Sequence, residues 1–158
     1  IFLESGRPVI YKQVRSGRGG KPYLIRKFRT MHQDAEKDGV VQLTQEKDVR
    51  ITRFGKFLRR THIDELPQFF NVVSGEMSLV GPRPLPTRDV QRFESAWQNR
   101  RFSVRPGLTC LWQINGRNRL RFYDWMRLDL QYIDQWSMML DVKILLKTFP
   151  VLIRADGQ

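Results

Sequence analysis

Apolar and polar positions change period several times along the chain. Residues 8–15 (PVIYKQVR) place β-branched and aromatic side chains in rough alternation and predict a strand. Residues 16–22 (SGRGGKP) are a glycine-rich turn, and residues 23–30 (YLIRKFRT) predict a second strand, which gives an antiparallel hairpin. Residues 31–48 are polar and mixed in charge; they predict a short helix from His32 to Lys37, then a loop. Residues 52–60 (TRFGKFLRR) read as helix or turn with four basic residues. Residues 64–74 predict a short apolar helix that tolerates Pro67 only in its first turn, which sets Asp64 or Glu65 at the helix N-terminus. Residues 81–86 (GPRPLP) read as irregular, 87–102 as a polar amphipathic helix, and 104–117 as a loop with a short strand or turn. Residues 122–136 and 138–154 predict two amphipathic helices, the second kinked or broken at Pro150. Together these elements predict one compact α+β domain over 1–158, mostly helical, with a small antiparallel hairpin or sheet.

Composition narrows the function classes. The 158 residues are 41% hydrophobic, enough for a packed core, so a disordered chain is excluded. A single cysteine, Cys110, excludes an internal disulfide framework and a cysteine-rich zinc site. No apolar run reaches the roughly 18–20 residues that span a bilayer.

Charge changes the picture more. The formal net charge is +12, and Arg outnumbers Lys 20 to 8. A guanidinium fork grips phosphate or carboxylate oxygens bidentately, so the bias points to a phosphate-bearing partner: nucleotide, nucleic acid or anionic lipid. Residues 1–30 hold eight basic residues against one acid, Glu4.

The densest chemistry runs from Arg59 to Pro84 (RRTHIDELPQFFNVVSGEMSLVGPRP). The adjacent acids Asp64 and Glu65 point in different directions on a helix and suit two separate jobs on one substrate. Arginines flank the pair on both sides, Arg59 and Arg60 before it and Arg83 between two prolines after it. The plainer alternative is an N-capping aspartate with surface ion pairs.

KFRTM (27–31), RRTHIDELPQ (59–68), GEMSLVGPRP (75–84) and RPGLTCLWQINGR (105–117) resemble, in order and spacing, the bacterial sugar transferase family of monotopic polyprenyl-phosphate phosphoglycosyl transferases. Segment 126–149 is also similar to that family's closing segment. The resemblance implies transfer of a sugar-1-phosphate from a nucleoside diphosphate sugar, normally a UDP-sugar, to polyprenyl (undecaprenyl) phosphate at the cytoplasmic face of the bacterial inner membrane. It implies Asp64 as the nucleophile that forms an aspartyl-phosphosugar, and Glu65 as a Mg²⁺ ligand. Lys27, Arg59, Arg83 and Arg117 match positions that the family uses around substrate phosphates. It also implies a membrane-associated domain and an upstream hydrophobic helix, and Ile1 falls about where that helix should end.

Physical chemistry agrees with this reading. A carboxylate attacking a diphosphate needs cations to offset repulsion, and Mg²⁺ accepts one or two carboxylates with phosphate and water for the rest. Lys27 could instead pair with an acid inside the fold. Asp129 and Asp141 suit capping or an internal arginine pair. His62 suits packing, since a pre-ionised carboxylate needs no base; His32 suits the surface. Trp112, Gln113 and Asn115 suit either substrate contact or core. Cys110 stands where the family pattern has glycine, which puts the local turn in question. The apolar face of 138–154 and the aromatics of 122–136 suit either an anionic membrane interface or the core. A nucleic-acid-binding module is the competing class, but no groove-reading helix, zinc spacing or RNA-binding aromatic motif accompanies the charge. A two-metal nuclease or phosphatase would need more acids than Glu76 supplies.

Overall fold

The computed structural model describes residues 1–36, 48–91, 93–115 and 120–153. A short helix, α1 (Phe2–Ser5), leads into strand β1 (Ile10–Ser16), which pairs antiparallel with β2 (Pro22–Phe28) as the alternation predicted. The turn between them has Gly19 and Gly20 at φ of 67° and 74°, a left-handed pair that residues with a Cβ rarely adopt. Residues Gln33–Glu36 form a single 3-10 turn, and the loop expected after it lies outside the described residues.

Helix α2 (Arg53–Arg60) is capped by Thr52, whose side-chain oxygen accepts the Gly55 N–H at 2.8 Å. Gly55 is needed for packing: a Cβ there would sit 2.1 Å from the Thr30 carbonyl oxygen. The helix therefore lies directly against the end of the hairpin. His62, at φ 57°, turns the chain out of α2 into a 3-10 helix, Ile63–Gln68, which passes into α3 (Phe69–Val73). The apolar helix expected over 64–74 is thus two pieces. Pro67 accounts for the split, because it has no N–H for an α-helical bond and its ring crowds the preceding turn.

Residues 78–86 differ most from expectation. Strand β3 (Ser78–Val80) pairs in parallel with β5 (Gly107–Thr109), so the sheet content is not solely antiparallel. Leu85–Pro86, expected to be irregular, form β4 and add a third strand to the hairpin in the order β2-β1-β4. The amphipathic helix expected over 87–102 is interrupted. It consists of α4 (Thr87–Val90) and a 3-10 helix, Ala96–Ser103, opened by a capping box between Ser95 and Gln98. After β5 comes α5 (Leu111–Ile114), where a turn or strand was expected. The two final helices are α6 (Phe122–Asp134) and α7 (Met138–Ile153), and α7 continues through Pro150 instead of ending there. Helix predominates over strand, as expected for this α+β class.

Tyr23, Ile25 and Met77 form one buried cluster under the hairpin, with Val72 against it. Val80, Tyr132 and Ile144 form a second, which joins the parallel strands to α5, α6 and α7. The aromatics of α6 divide between core and solvent: Tyr132 is buried and Trp125 lies 5.3 Å from Trp112, while Tyr123 and Trp136 are exposed. Helix α7 buries Ile144 and exposes Met138, Met139, Leu146 and Phe149. Among the described residues no helix is long and apolar enough to cross a membrane.

Candidate active site

Asp64 and Glu65 lie in the first turn of the 3-10 helix that packs on β2. Neighbours in such a helix point about 120° apart, so the two carboxylates face different surroundings. Asp64 is 9% exposed. Burial pushes its carboxyl up to about 6, against the lowering pull of Lys27 and Arg59 and with added repulsion from Glu65. Glu65 moves the other way. Burial opposes its charge, but Lys27 and Arg83 outweigh burial and hold it at about 2. The Lys27 ammonium donates to Glu65 Oε1 at 2.6 Å. Of the two roles open to Lys27, the structure shows the acid pair. Two adjacent carboxylates are thereby separated into one held ionised and one that ionises near neutrality.

The arginines are placed by different devices. Arg59 comes from the last turn of α2, and its Nε donates to Thr30 Oγ1 at 2.8 Å. Burial lowers its pKa, and the carboxylates of Asp64 and Asp48 act in the opposite direction. Arg83 lies between β3 and β4 with its guanidinium 4.8 Å from the Trp112 ring centroid, a cation–π contact. Trp112 is buried, so of its two expected roles the core one holds and includes support of Arg83. Gln113 is also buried, whereas Asn115 is exposed and donates to the Leu111 carbonyl. Arg117 lies outside the described residues.

Sequence reasoning missed Arg101. Its guanidinium donates to the Arg83 carbonyl oxygen and pairs with Asp129 at 3.0 Å, both partners almost fully buried. Asp129 also accepts the Arg83 backbone N–H. The ion pair thus grips both sides of the Arg83 backbone, while Trp112 supports its head. Burial pushes Asp129 toward its neutral form and lowers the Arg101 pKa. Asp129 is the internal arginine partner that its sequence context allowed. Asp141 has a different role, accepting the Tyr132 hydroxyl at 2.9 Å and the Trp136 ring N–H at 3.3 Å to join α6 to α7. His32 is exposed, and His62 is half-buried. Cys110 is buried in extended backbone (φ −157°), a conformation that does not require glycine.

Among the described residues no three His, Cys, Asp or Glu side chains converge to hold a metal. Glu76 is engaged elsewhere, accepting from Asn71 at 2.7 Å and Ser74 at 3.0 Å. Glu65, whose Oε1 accepts from Lys27, and Asp64 are the carboxylates that could hold Mg²⁺, which takes one or two carboxylates and fills its shell with water and substrate oxygens.

The family model for bacterial sugar transferases matches residues 1–155. The chain belongs to the bacterial sugar transferase family. The chain is 48% identical to the galactosyl transferase CpsE of Streptococcus agalactiae, over 99% of this chain and 38% of that protein. It is 43% identical to the UDP-glucose:undecaprenyl-phosphate glucose-1-phosphate transferase of Caulobacter vibrioides, over 99% of this chain and 61% of that one. It is 38% identical to the undecaprenyl-phosphate galactose phosphotransferase of Salmonella typhimurium, over 96% and 35%. The chain therefore spans between 35% and 61% of the length of these relatives.

Proposed function

We propose that this domain transfers a sugar-1-phosphate from a UDP-sugar to polyprenyl phosphate through a covalent bond to Asp64. The observation that carries this reading is a nearly buried carboxylate influenced by Lys27 and Arg59, next to a second carboxylate held ionised by Lys27 and Arg83. The names of the relatives from Caulobacter vibrioides and Salmonella typhimurium support the acceptor, undecaprenyl phosphate.

A carboxyl that ionises near pH 6 is anionic at neutral pH, poorly hydrated, and more basic than an ordinary aspartate. Its oxygen attacks the sugar-bearing phosphorus. A P–O bond forms, the bond to the other phosphate breaks, and UMP leaves with that electron pair. A phosphate oxygen of the polyprenyl phosphate then attacks the same phosphorus. The bond to Asp64 breaks, the carboxylate is restored, and a polyprenyl diphosphate-sugar is formed. Arg59 and Arg83 offset the negative charge that gathers at these steps. Glu65, with Asp64 beside it, would hold Mg²⁺, which supplies charge neutralisation at the phosphate oxygens.

The acceptor is a lipid, so the reaction belongs at a membrane surface, in this reading the cytoplasmic face of the bacterial inner membrane. The exposed apolar face of α7 with Lys143 and Lys147, and the basic hairpin, support contact with an anionic interface. The product would start exopolysaccharide, capsule, O-antigen or glycoprotein glycan assembly.

The deciding experiment supplies undecaprenyl phosphate and a panel of UDP-sugars and measures UMP release, with EDTA and with Mg²⁺ added back. Release with one or more sugars, lost in Asp64→Asn together with UMP–UDP-sugar exchange, is the expected result. Exchange that survives in Asp64→Asn would exclude the covalent step.

A further inference from the structure

Helix α3 is seated by a polar side chain. Among Phe69–Val73 only Asn71 is fully buried, at 0% exposure, while Phe69, Phe70 and Val73 are exposed and Val72 packs against the Tyr23, Ile25 and Met77 cluster. A helix this short depends on tertiary contacts for its stability, and here the buried contact is a carboxamide. Asn71 Oδ1 accepts the Arg26 N–H at 3.2 Å. Its Nδ2 donates to the Leu24 carbonyl at 2.8 Å and to Glu76 Oε2 at 2.7 Å. One N–H donor and two acceptors surround the amide, so only this orientation satisfies every partner.

The partners on β2 explain the choice of residue. In the order β2-β1-β4, β2 is an edge strand. Successive residues of a strand direct their N–H and C=O groups to opposite edges. Leu24 and Arg26 are alternate residues, and the carbonyl and N–H that meet Asn71 lie on the edge away from β1. The Asn71 amide therefore stands in for one peptide group of a further strand. Glu76 orients it from behind, since the same Oε2 accepts Ser74 Oγ at 3.0 Å and lies 3.7 Å from the Arg26 guanidinium.

The same two pieces of chain meet again at the carboxylates. Lys27 follows Arg26 on β2 and donates to Glu65, in the 3-10 helix that runs directly into α3. Segment 63–73 is thus tied to β2 at two places. Apolar burial is non-directional and tolerates a slide along the strand. A slide of one residue is about 3.3 Å and sets the opposite face of the strand against the segment. Hydrogen bonds to Leu24 and Arg26 do not survive such a slide, because they require both distance and angle. The register that brings Lys27 to Glu65 is set where Asn71 meets β2.

We propose that Asn71, oriented by Glu76, is a positioning residue for the transfer reaction: it sets the register of residues 63–73 on β2 and so holds Asp64 and Glu65 against the Lys27 ammonium. Its effect reaches the two carboxylates through β2 and the 3-10 helix. The reaction rests on the reading given above; the seating of α3 rests on the hydrogen bonds.

The test combines a double-mutant cycle with turnover. Asn71→Leu keeps the approximate shape and removes the hydrogen bonds. Lys27→Met should lower the melting temperature of the unaltered chain, and lower that of Asn71→Leu by less than about half as much, because the Lys27–Glu65 contact is already displaced. Amide exchange reads the local change: the Arg26 amide should exchange about 10-fold faster or more in Asn71→Leu, with the Ile25 and Lys27 amides, directed at β1, as internal controls. In turnover, Asn71→Leu should lower kcat for UMP release by about 10-fold or more while the Michaelis constant for UDP-sugar stays within about 3-fold. Val72→Ala loosens the same helix by packing alone and should keep its kcat per folded molecule. Asn71→Asp is a second variant that retains the acceptor but sets a carboxylate beside Glu76; adding Glu76→Gln supplies a donor and should recover part of kcat. Additive melting shifts, an unchanged kcat in Asn71→Leu with a freed Arg26 amide, an equal loss in Val72→Ala, or no recovery from Glu76→Gln would overturn the positioning role. Non-additive shifts in a chain without transferase activity would leave the seating of α3 standing and remove the proposed reaction. Transferase activity that Asp64→Asn abolishes, with additive shifts, would keep the reaction and remove the role of Asn71.

Discussion

Lys27 Nζ and Glu65 Oε1 lie 2.6 Å apart, joined across 38 residues of chain. The contact ties the hairpin to the 3-10 helix that carries both carboxylates, and both side chains are largely shielded, at 24% and 18% exposure. Lys27→Met should leave Glu65 partly buried and unpaired, at a cost of about 1–3 kcal/mol near neutral pH. The sign follows from Glu65, held at about 2 against an ordinary 4.5. Its contribution is complete above 4.5 and is lost as pH falls through 2. Denaturant midpoints of both proteins across pH should therefore converge at the acid end; a constant gap would show that Lys27 acts by packing alone.

Asp64 obeys the opposite rule. Its carboxyl is raised from 3.8 to about 6, so the fold favours the neutral form. That contribution is full below 3.8 and disappears as pH rises through 6. Asp64→Asn should therefore be inactive yet more stable than the parent at pH 8, by about 1–3 kcal/mol, with the advantage vanishing near pH 4. Melting temperatures at the two pH values decide this. The parent's activity should also fall on an acid limb near pH 6, and Lys27→Met, lacking a cation that lowers the Asp64 pKa, should shift that limb upward.

These pH responses depend on contacts that sequence alone does not reveal. The hairpin, α2 and the last two helices were legible because their apolar periods and the Gly19–Gly20 turn are local signals. The carboxylate pair and its arginines were legible as a motif. What stayed hidden is non-local. Strand β3 is three residues long and acquires its identity from β5, almost thirty positions away. Leu85–Pro86 becomes a strand only because β1 offers an edge. Arg101 looks like one more surface arginine in NRRF, and only its burial against Asp129 reveals its role.

The Arg101–Asp129 pair makes a separable prediction. Removing one member, as in Asp129→Leu, leaves a buried guanidinium unpaired and should cost about 3–5 kcal/mol. Replacing both, as Arg101→Met with Asp129→Leu, should recover much of that stability, since buried pairs are often replaceable by apolar residues. The Michaelis constant for UDP-sugar should stay high in the double variant, because the Arg83 carbonyl and N–H have lost their anchors. Recovery of both stability and substrate affinity would show that Arg83 needs no such hold.

The α7 surface makes the last prediction. Leu146 and Phe149 are 70% and 68% exposed, unusual for large apolar side chains, and Lys143 and Lys147 lie within the same stretch. A helix of this composition can lie in a bilayer interface, with apolar burial and attraction to anionic lipid contributing together. Leu146→Asp with Phe149→Asp should leave the melting temperature within a degree or two, because neither side chain packs into the core. It should reduce co-sedimentation with vesicles of mixed anionic and neutral lipid several-fold. Salt separates the two contributions. Raising ionic strength screens the lysines and the basic hairpin but not the apolar contact, so the unaltered chain should retain some binding at high salt that the double variant lacks. Equal vesicle binding by both proteins at every salt concentration would assign the exposed face of α7 to some other contact.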